Sequence, residues 1–280
     1  MRLLFVSDIH YPVDYKVMHR LMEAAKDRET VIVIAGDVTA SGYLHHFEKF
    51  LRLMSQARLV LVVGNHDLWL SKKMIRKGYN SLQKLEKISQ LCREYGAKLL
   101  DTEKEPLEVG GAALIGSVGW YDYSYAQGLG YTREDFERGT PYKGCEKSLR
   151  GPLPPCPAWH NDKVYVKLPF PDEEYVQRNI AQMEKKIQAA EKKGLPVYLI
   201  LHHVPRQELV KYAGNPREDF FKAYDGSPKL GKLAEKHRKT IKAVYYGHIH
   251  DPHAQPTTIN GVKYVNTYPS LRTRTIQIKI

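Results

Sequence analysis

Cysteine is scarce in this chain, and what there is does not pair. Cys92, Cys145 and Cys156 are the three present, and no two form a CxxC, which argues against a disulfide framework or a zinc knuckle and fits a reducing cytoplasm. Long apolar runs are also missing. No stretch approaches the roughly 18 residues of a membrane span, so no membrane partner is expected. There is no internal repeat and no convincing linker, which favours one domain over residues 1–280 with an irregular insertion at about 119–171. Negative charge is in deficit, with 31 Asp and Glu against 43 Lys and Arg and a formal charge of +12. Such an excess suits an anionic partner. Many of these lysines, however, sit in helical stretches such as Lys72-Lys73, Lys185-Lys186 and Lys192-Lys193, where they read as solvated faces. A phosphorylated small molecule or nucleotide is therefore preferred, and nucleic acid stays open without being favoured. Oligomeric state is unreadable.

What the chain does contain is five short apolar runs that end abruptly in metal-binding residue types. Leu3-Leu4-Phe5-Val6 leads into Asp8-Ile9-His10, and Val31-Ile32-Val33-Ile34 into Gly36-Asp37. Leu59 to Val63 leads into Gly64-Asn65-His66-Asp67, Val197 to Ile200 into His202-His203, and Ala243 to Tyr246 into Gly247-His248-Ile249-His250. Fully apolar runs of this length read as strands buried on both faces. In open α/β sheets ligands bind beyond the carboxyl ends of such strands, so five polar tips at one edge make one site. The first run reads as strand one rather than a cleavable signal, because cleavage would remove Asp8.

Between the first three tips, Val17, Leu21, Ala24 and Ala25, then Leu44, Phe47, Phe50, Leu51 and Met54, keep helical spacing. A third helix is expected from Ser81 to Tyr95, stopped by Gly96. Short strands are expected at Lys98 to Leu100, Leu107 to Val109 and Ala112 to Gly116, with Gly110-Gly111 as a hairpin turn. From Gly119 to about Pro171 the chain is rich in Tyr, Gly and Pro, without period except at Thr132 to Arg138 and Val164 to Leu168. It reads as either a binding loop or a covering arm. Asp172 to Lys193 is the longest helix by its Val176, Ile180, Met183, Ile187 and Ala190 stripe, which reads as core. Half-exposed antiparallel strands are expected at Val262 to Val265 and Thr275 to Ile278, after an Asn260-Gly261 turn.

Asp8 and His10, two residues apart on a strand, point the same way and can grip one ion. Glycines before Asp37, Asn65 and His248 let the backbone turn and approach closely. The donors are nitrogen and oxygen only, a set that suits Mn, Fe, Zn or Co better than Ca or a structural zinc.

Taken in order, Asp8-Ile9-His10, Gly36-Asp37, Gly64-Asn65-His66-Asp67, His202 and Gly247-His248-Ile249-His250 closely resemble the signature of the calcineurin-like metallophosphoesterase superfamily. The resemblance runs as a framework from residue 2 to 250 and leaves 119–171 uncovered. It implies an α/β fold, a four-layer α/β/β/α sandwich with two central mixed β-sheets. It also implies two divalent ions (Mn, Fe or Zn). Asp8, His10, Asp37 and His250 would hold one, and Asp37, Asn65, His202 and His248 the other, with a metal-bridging hydroxide attacking a phosphomonoester or phosphodiester. His66 falls near the leaving group as general acid or transition-state donor, with Asp67 orienting its ring. His203 is the second of its pair, a phosphate contact or a support for His202.

Arg206 follows the His202 tip and is placed to bind phosphate. Tyr121 and Tyr123, in Trp120-Tyr121-Asp122-Tyr123, are placed to stack a base or aryl group, with packing of the insertion as the alternative. His19, His45, His46, His160, His237 and His253 lack partners in sequence and read as structural or surface. The competing class of function is a catalytically silent interaction scaffold on the same fold. The retained His66 and the full ligand set speak for the enzyme.

Overall fold

The first apolar run forms β1 (Arg2–Val6), and parallel crossovers follow through α1 (Tyr15–Ala25), β2 (Thr30–Ala35), α2 (Leu44–Leu53) and β3 (Arg58–Val62). In this computed structural model residues 1–143, 158–268 and 274–277 are described. Cys145, Cys156 and Ile278 lie outside them. After β3 come two short helices, α3 (Asn65–Leu68) and α4 (Lys72–Arg76), then α5 (Ser81–Glu94), β4 (Lys98–Leu99) and the hairpin of β5 (Leu107–Val109) with β6 (Ala112–Ser117). The remaining elements are α6 (Arg133–Arg138), α7 (Asn161–Tyr165), α8 (Asp172–Lys192), β7 (Val197–Leu201), α9 (Pro216–Asp219), α10 (Pro228–Lys236), β8 (Ile241–Tyr246), β9 (Thr257–Ile259), β10 (Val262–Asn266) and β11 (Arg274–Gln277).

Local chemistry starts the helices where it should. The Asp14 carboxylate accepts from the Lys16 and Val17 amides at the head of α1, and Asn80 and Gln83 close a reciprocal box at the head of α5. Such caps satisfy amides that a helix leaves open. Three acidic residues in the first turn of α8 complement its dipole.

The strands form two sheets, ordered β11-β1-β2-β3-β4 and β5-β6-β7-β8-β10-β9. Because successive side chains point to opposite faces, each apolar strand fills two cores at once. Leu4, Val6, Ile32, Ile34, Leu59 and Leu61 face out and pack with Val17, Leu21, Phe47, Phe50 and Ile88 of the first helices. Leu3, Phe5, Val31, Val33, Val60 and Val62 face in, against Leu114, Ile200, Ala243 and Tyr245 of the second sheet. There the Phe5 and Tyr245 rings stack at 3.7 Å. The outer face of the second sheet, including Ala113, Ile115, Leu199, Leu201 and Val244, packs with Met183, Ile187, Leu230 and Leu233 of α8 and α10. Three cores between four layers make the α/β/β/α sandwich, and antiparallel β11, β5 and β9 make both sheets mixed.

Differences from expectation lie in the second half. β10 turns back antiparallel from β9 at Asn260-Gly261, yet on its other side it runs parallel to β8 and is largely buried. It is an interior strand, not half-exposed. β11 pairs antiparallel with β1. Of the two stretches expected to show a period, Thr132 to Arg138 forms α6, which Thr132 caps. Val164 to Leu168 forms no single element. Its first residues close α7, and Lys167 bonds through its backbone to Ser81 alone. Among the described residues no helix is long and apolar enough to cross a membrane.

Candidate metal centre and active site

All five strand tips come together above the carboxyl ends of β1, β2, β3, β7 and β8. The strand regime stops before the ligands do, because β1 ends at Val6. Asp8, His10, Asp37 and His248 take φ values of 52°, 47°, 52° and 69°, the left-handed region that costs a side-chain-bearing residue about 1–2 kcal/mol. Asp8 and His10 therefore converge through a coiled tip and not by strand alternation. The tips are laced together, since Asp8 N–H donates to Gly36 O and His10 N–H to Asp37 O. Strain of this kind persists only where the surroundings over-determine it, and it collects at functional sites.

The donor atoms fall into two groups that share one carboxylate. On one side His250 Nε2 lies 3.3 Å from Asp8 Oδ1 and 3.2 Å from His10 Nε2, and His10 Nε2 lies 3.7 Å from Asp37 Oδ2. On the other, His202 Nε2 lies 3.0 Å from Asn65 Oδ1, 3.2 Å from His248 Nδ1 and 3.5 Å from Asp37 Oδ1. Donors about 2.1 Å from a common cation sit about 3.0–3.4 Å from one another. Four of the six separations fall in that range and the two to Asp37 lie just beyond it, and Asp37 turns one oxygen toward each group. Two glycines make room. A Cβ on Gly64 would collide with the Asp37 carboxylate, and one on Gly36 would collide with the His202 ring.

Ring orientation is fixed from behind. His202 Nδ1 donates to Ala35 O at 3.0 Å, which leaves the Nε2 lone pair facing the centre. Asn65 Nδ2 donates to Asp162 Oδ1 at 2.9 Å, which turns its oxygen inward. Burial holds His202, His248 and His10 below the ordinary imidazole range, as suits neutral ligands, and holds the neighbouring His203 down as well, whereas the Asp8 hydrogen bond raises His250. Burial, then the neighbouring Asp8 and Asp67 carboxylates, push Asp37 well up. Burial also works to raise Asp8, but the His250 hydrogen bond and the His202 imidazole outweigh it and leave Asp8 lowered. Three carboxylates crowded in a dry pocket call for positive charge, and this donor set fits two cations.

A sequence model of the calcineurin-like phosphoesterase family matches residues 1–252. The chain belongs to this family. No curated protein matches it by sequence. Among solved structures it is similar to phosphopantetheinyl hydrolase from Mycobacterium tuberculosis, with a TM-score of 0.70, 17% identity, and coverage of 94% of this chain and 87% of that one. It is also similar to a dimetal phosphatase from Danio rerio, with a TM-score of 0.51, 14% identity, and coverage of 95% and 86%. At such identities the likeness is one of fold.

In this member of the family His66 stands at the edge of the centre, its Nε2 3.8 Å from Asp37 Oδ2. Its Nδ1 faces Ala40 O at 3.3 Å, and its ring stacks on Trp69 at 3.7 Å. Burial, then nearby His10, push it down to about 3. Asp67 does not orient that ring, contrary to the family-based expectation. Its oxygens accept from the amides of Val38, Thr39 and Gly64 and from the Thr39 hydroxyl. It pins the loop that carries Asp37, and the work assigned to it falls to Ala40 and Trp69.

Three further expectations change. Arg206 is not free for phosphate, because its guanidinium pairs with Glu208 and Glu235. Tyr123 is buried, with its hydroxyl bonded to Asp172 and Lys163. Tyr121 is buried in an aromatic cluster with Trp120, Tyr123 and Tyr224. The packing alternative is what these tyrosines adopt. His203 does sit beside the centre, its ring 4.5 Å from that of His248. Its Nδ1 contacts Val118 O, and its Nε2 is buried without a protein partner. Of the six remaining histidines, His160 stacks on Tyr224 at 3.8 Å and His237 pairs with Glu184 and Glu191, while His19, His45 and His253 are exposed. His46 bonds Ser41.

Asp162 and Trp69 were not foreseen. The buried Asp162 carboxylate accepts from both Asn65 Nδ2 and Trp69 Nε1, so one residue of the 119–171 segment supports two sides of the centre. No local pattern around it signals this. Tyr268, stacked on His250 at 4.7 Å, was equally silent.

Proposed function

We propose that the chain is a phosphoester hydrolase that works with two divalent ions, on a phosphorylated small molecule or nucleotide. Asp8, His10, Asp37 and His250 would hold one ion, and Asp37, Asn65, His202 and His248 the other. The observation that carries this is the Asp37 carboxylate, one oxygen toward each donor group. When bound, the ions would acidify water for attack on phosphorus and neutralise the phosphoryl oxygens. The chain's own residues do the rest. Asp162 and Ala35 hold two ligand side chains in the orientation that presents a lone pair. Asp67 fixes the Asp37 loop, and the sandwich keeps bulk water from one side of the centre.

His66 is the donor to the leaving oxygen. Its ring is held by Ala40 and Trp69 with Nε2 toward the centre, and the negative charge of a bound phosphate favours its protonated form. His203, its ring 4.5 Å from that of His248, would serve as a phosphate contact or as a support for the ligands beside it. The basic net charge favours anionic substrates generally.

Rates on p-nitrophenyl phosphate and bis(p-nitrophenyl) phosphate with added Mn test the reading. Asp37→Asn should remove activity along with bound metal. His66→Ala should lower kcat about 10²-fold or more while metal content holds. A parent protein that binds two ions yet cleaves neither ester, nor any of a nucleotide panel, would move the reading to a silent scaffold.

A further inference from the structure

A cavity of about 310 Å³ opens beside His66, between the loop after β2, the loop after α3, and α7. Two of its lining residues, Ala40 and Trp69, are the two groups that hold the His66 ring. Three aromatic side chains line it: Tyr43, Trp69 and Tyr165. The Trp69 and Tyr165 rings stand 5.7 Å apart. Trp69 cannot swing away, because its Nε1 donates to Asp162 at 2.6 Å. Tyr43 is 50% exposed at the mouth, unlike the buried Tyr121 and Tyr123. Ser41, Ser71 and Asn161 add polar edges. The volume is at the small end for ligand pockets, enough for one ring system.

We propose that this cavity is a subsite for a flat aromatic group on the leaving side of the substrate, a nucleobase or an aryl ring. The proposal rests on the phosphoesterase reading for where the scissile bond lies, but binding of the ring itself needs neither ions nor turnover. Rigid aromatic walls bind such groups by stacking, without requiring a particular base. Their place against His66 puts the ring on the side of the oxygen that departs. The leaving-group role that the sequence offers to Tyr121 and Tyr123 thus passes to residues scattered over positions 43, 69 and 165.

Saturation-transfer NMR on metal-free protein tests this with adenosine, p-nitrophenol and ribose. Adenosine or p-nitrophenol should bind and ribose should not, and which of the two binds better separates a nucleobase from a simple aryl group. Tyr43→Ala, a change at an exposed position, should weaken ring binding about tenfold, and Tyr43→Phe should retain it. With Mn present, Tyr43→Ala should raise KM for the aryl ester relative to that for methyl phosphate. Ring compounds that bind no better than ribose, or binding indifferent to Tyr43→Ala, would overturn the subsite. If ring binding is present and sensitive to Tyr43→Ala while no ester is hydrolysed with Mn bound, the phosphoesterase reading fails and the subsite stands. Hydrolysis with no ring binding gives the reverse.

Discussion

Three backbone amides and one hydroxyl end on the buried Asp67 carboxylate. Removing it leaves the Val38, Thr39 and Gly64 N–H groups without that acceptor. An unsatisfied buried donor costs about 1–3 kcal/mol. Asp67→Ala is therefore expected to lower stability by about 3 kcal/mol or more in urea unfolding, and to weaken metal binding by loosening the Asp37 loop. A stability loss within about 0.5 kcal/mol, the range of ordinary surface changes, would contradict this. At this scale the motif residues were legible because their chemistry is written in strings of two to four positions. Asp67 and Asp162 were misread or missed because most of their partners lie 28 to 97 positions away. Arg206 has one partner as distant, Glu235, and a second, Glu208, only two positions on.

α5 carries a lysine into the interior. Lys84 is buried, its Nζ donating to Trp69 O at 2.6 Å, and burial pushes its ammonium down to about 7. The unfolded chain holds that proton to about pH 10.4. Between those values the folded state binds fewer protons than the unfolded one, so stability rises with pH. Lys84→Met removes the effect. The stability of the parent relative to this variant is expected to climb from pH 7 to pH 10, and a difference flat across that range would count against the burial. Elements with a strong period were legible in the chain, among them the three central strands of the first sheet, α5 and α8. The short helices α3, α4 and α9 leave too few residues for a period to show, and α10 was overlooked although Leu230, Leu233 and Ala234 face the core. The exposure of β10 was misjudged because Val262-Lys263-Tyr264-Val265 alternates only over its first three residues, and a parallel neighbour then buries the rest.

Across the whole molecule, the candidate centre draws ligands from both sheets: Asp8, Asp37 and Asn65 follow strands of the first, and His202, His248 and His250 follow strands of the second. Ions held there would tie the two sheets together. A ligand bound to the folded state alone at a hundredfold excess over Kd adds about 2.7 kcal/mol, so Mn is expected to raise Tm over the chelated protein by about 5 °C or more. Asp37→Asn should abolish the shift, and an equal shift in parent and variant would place the effect elsewhere. Buried parallel strands with helices outside were readable from the fully apolar runs, which suit such sheets, whereas the four layers followed from the family resemblance. How 119–171 meets the centre was not, because its aromatic packing has no period.

Anomalous scattering from crystals grown with Mn resolves the remaining question in a single map. Two peaks are expected about 3.5–4 Å apart, flanking the Asp37 carboxylate, one within bonding distance of Asp8, His10 and His250 and the other of Asn65, His202 and His248. A map with no peak at Asp37, or with one ion held by other residues, would contradict the shared-carboxylate centre on which the proposed hydrolysis depends.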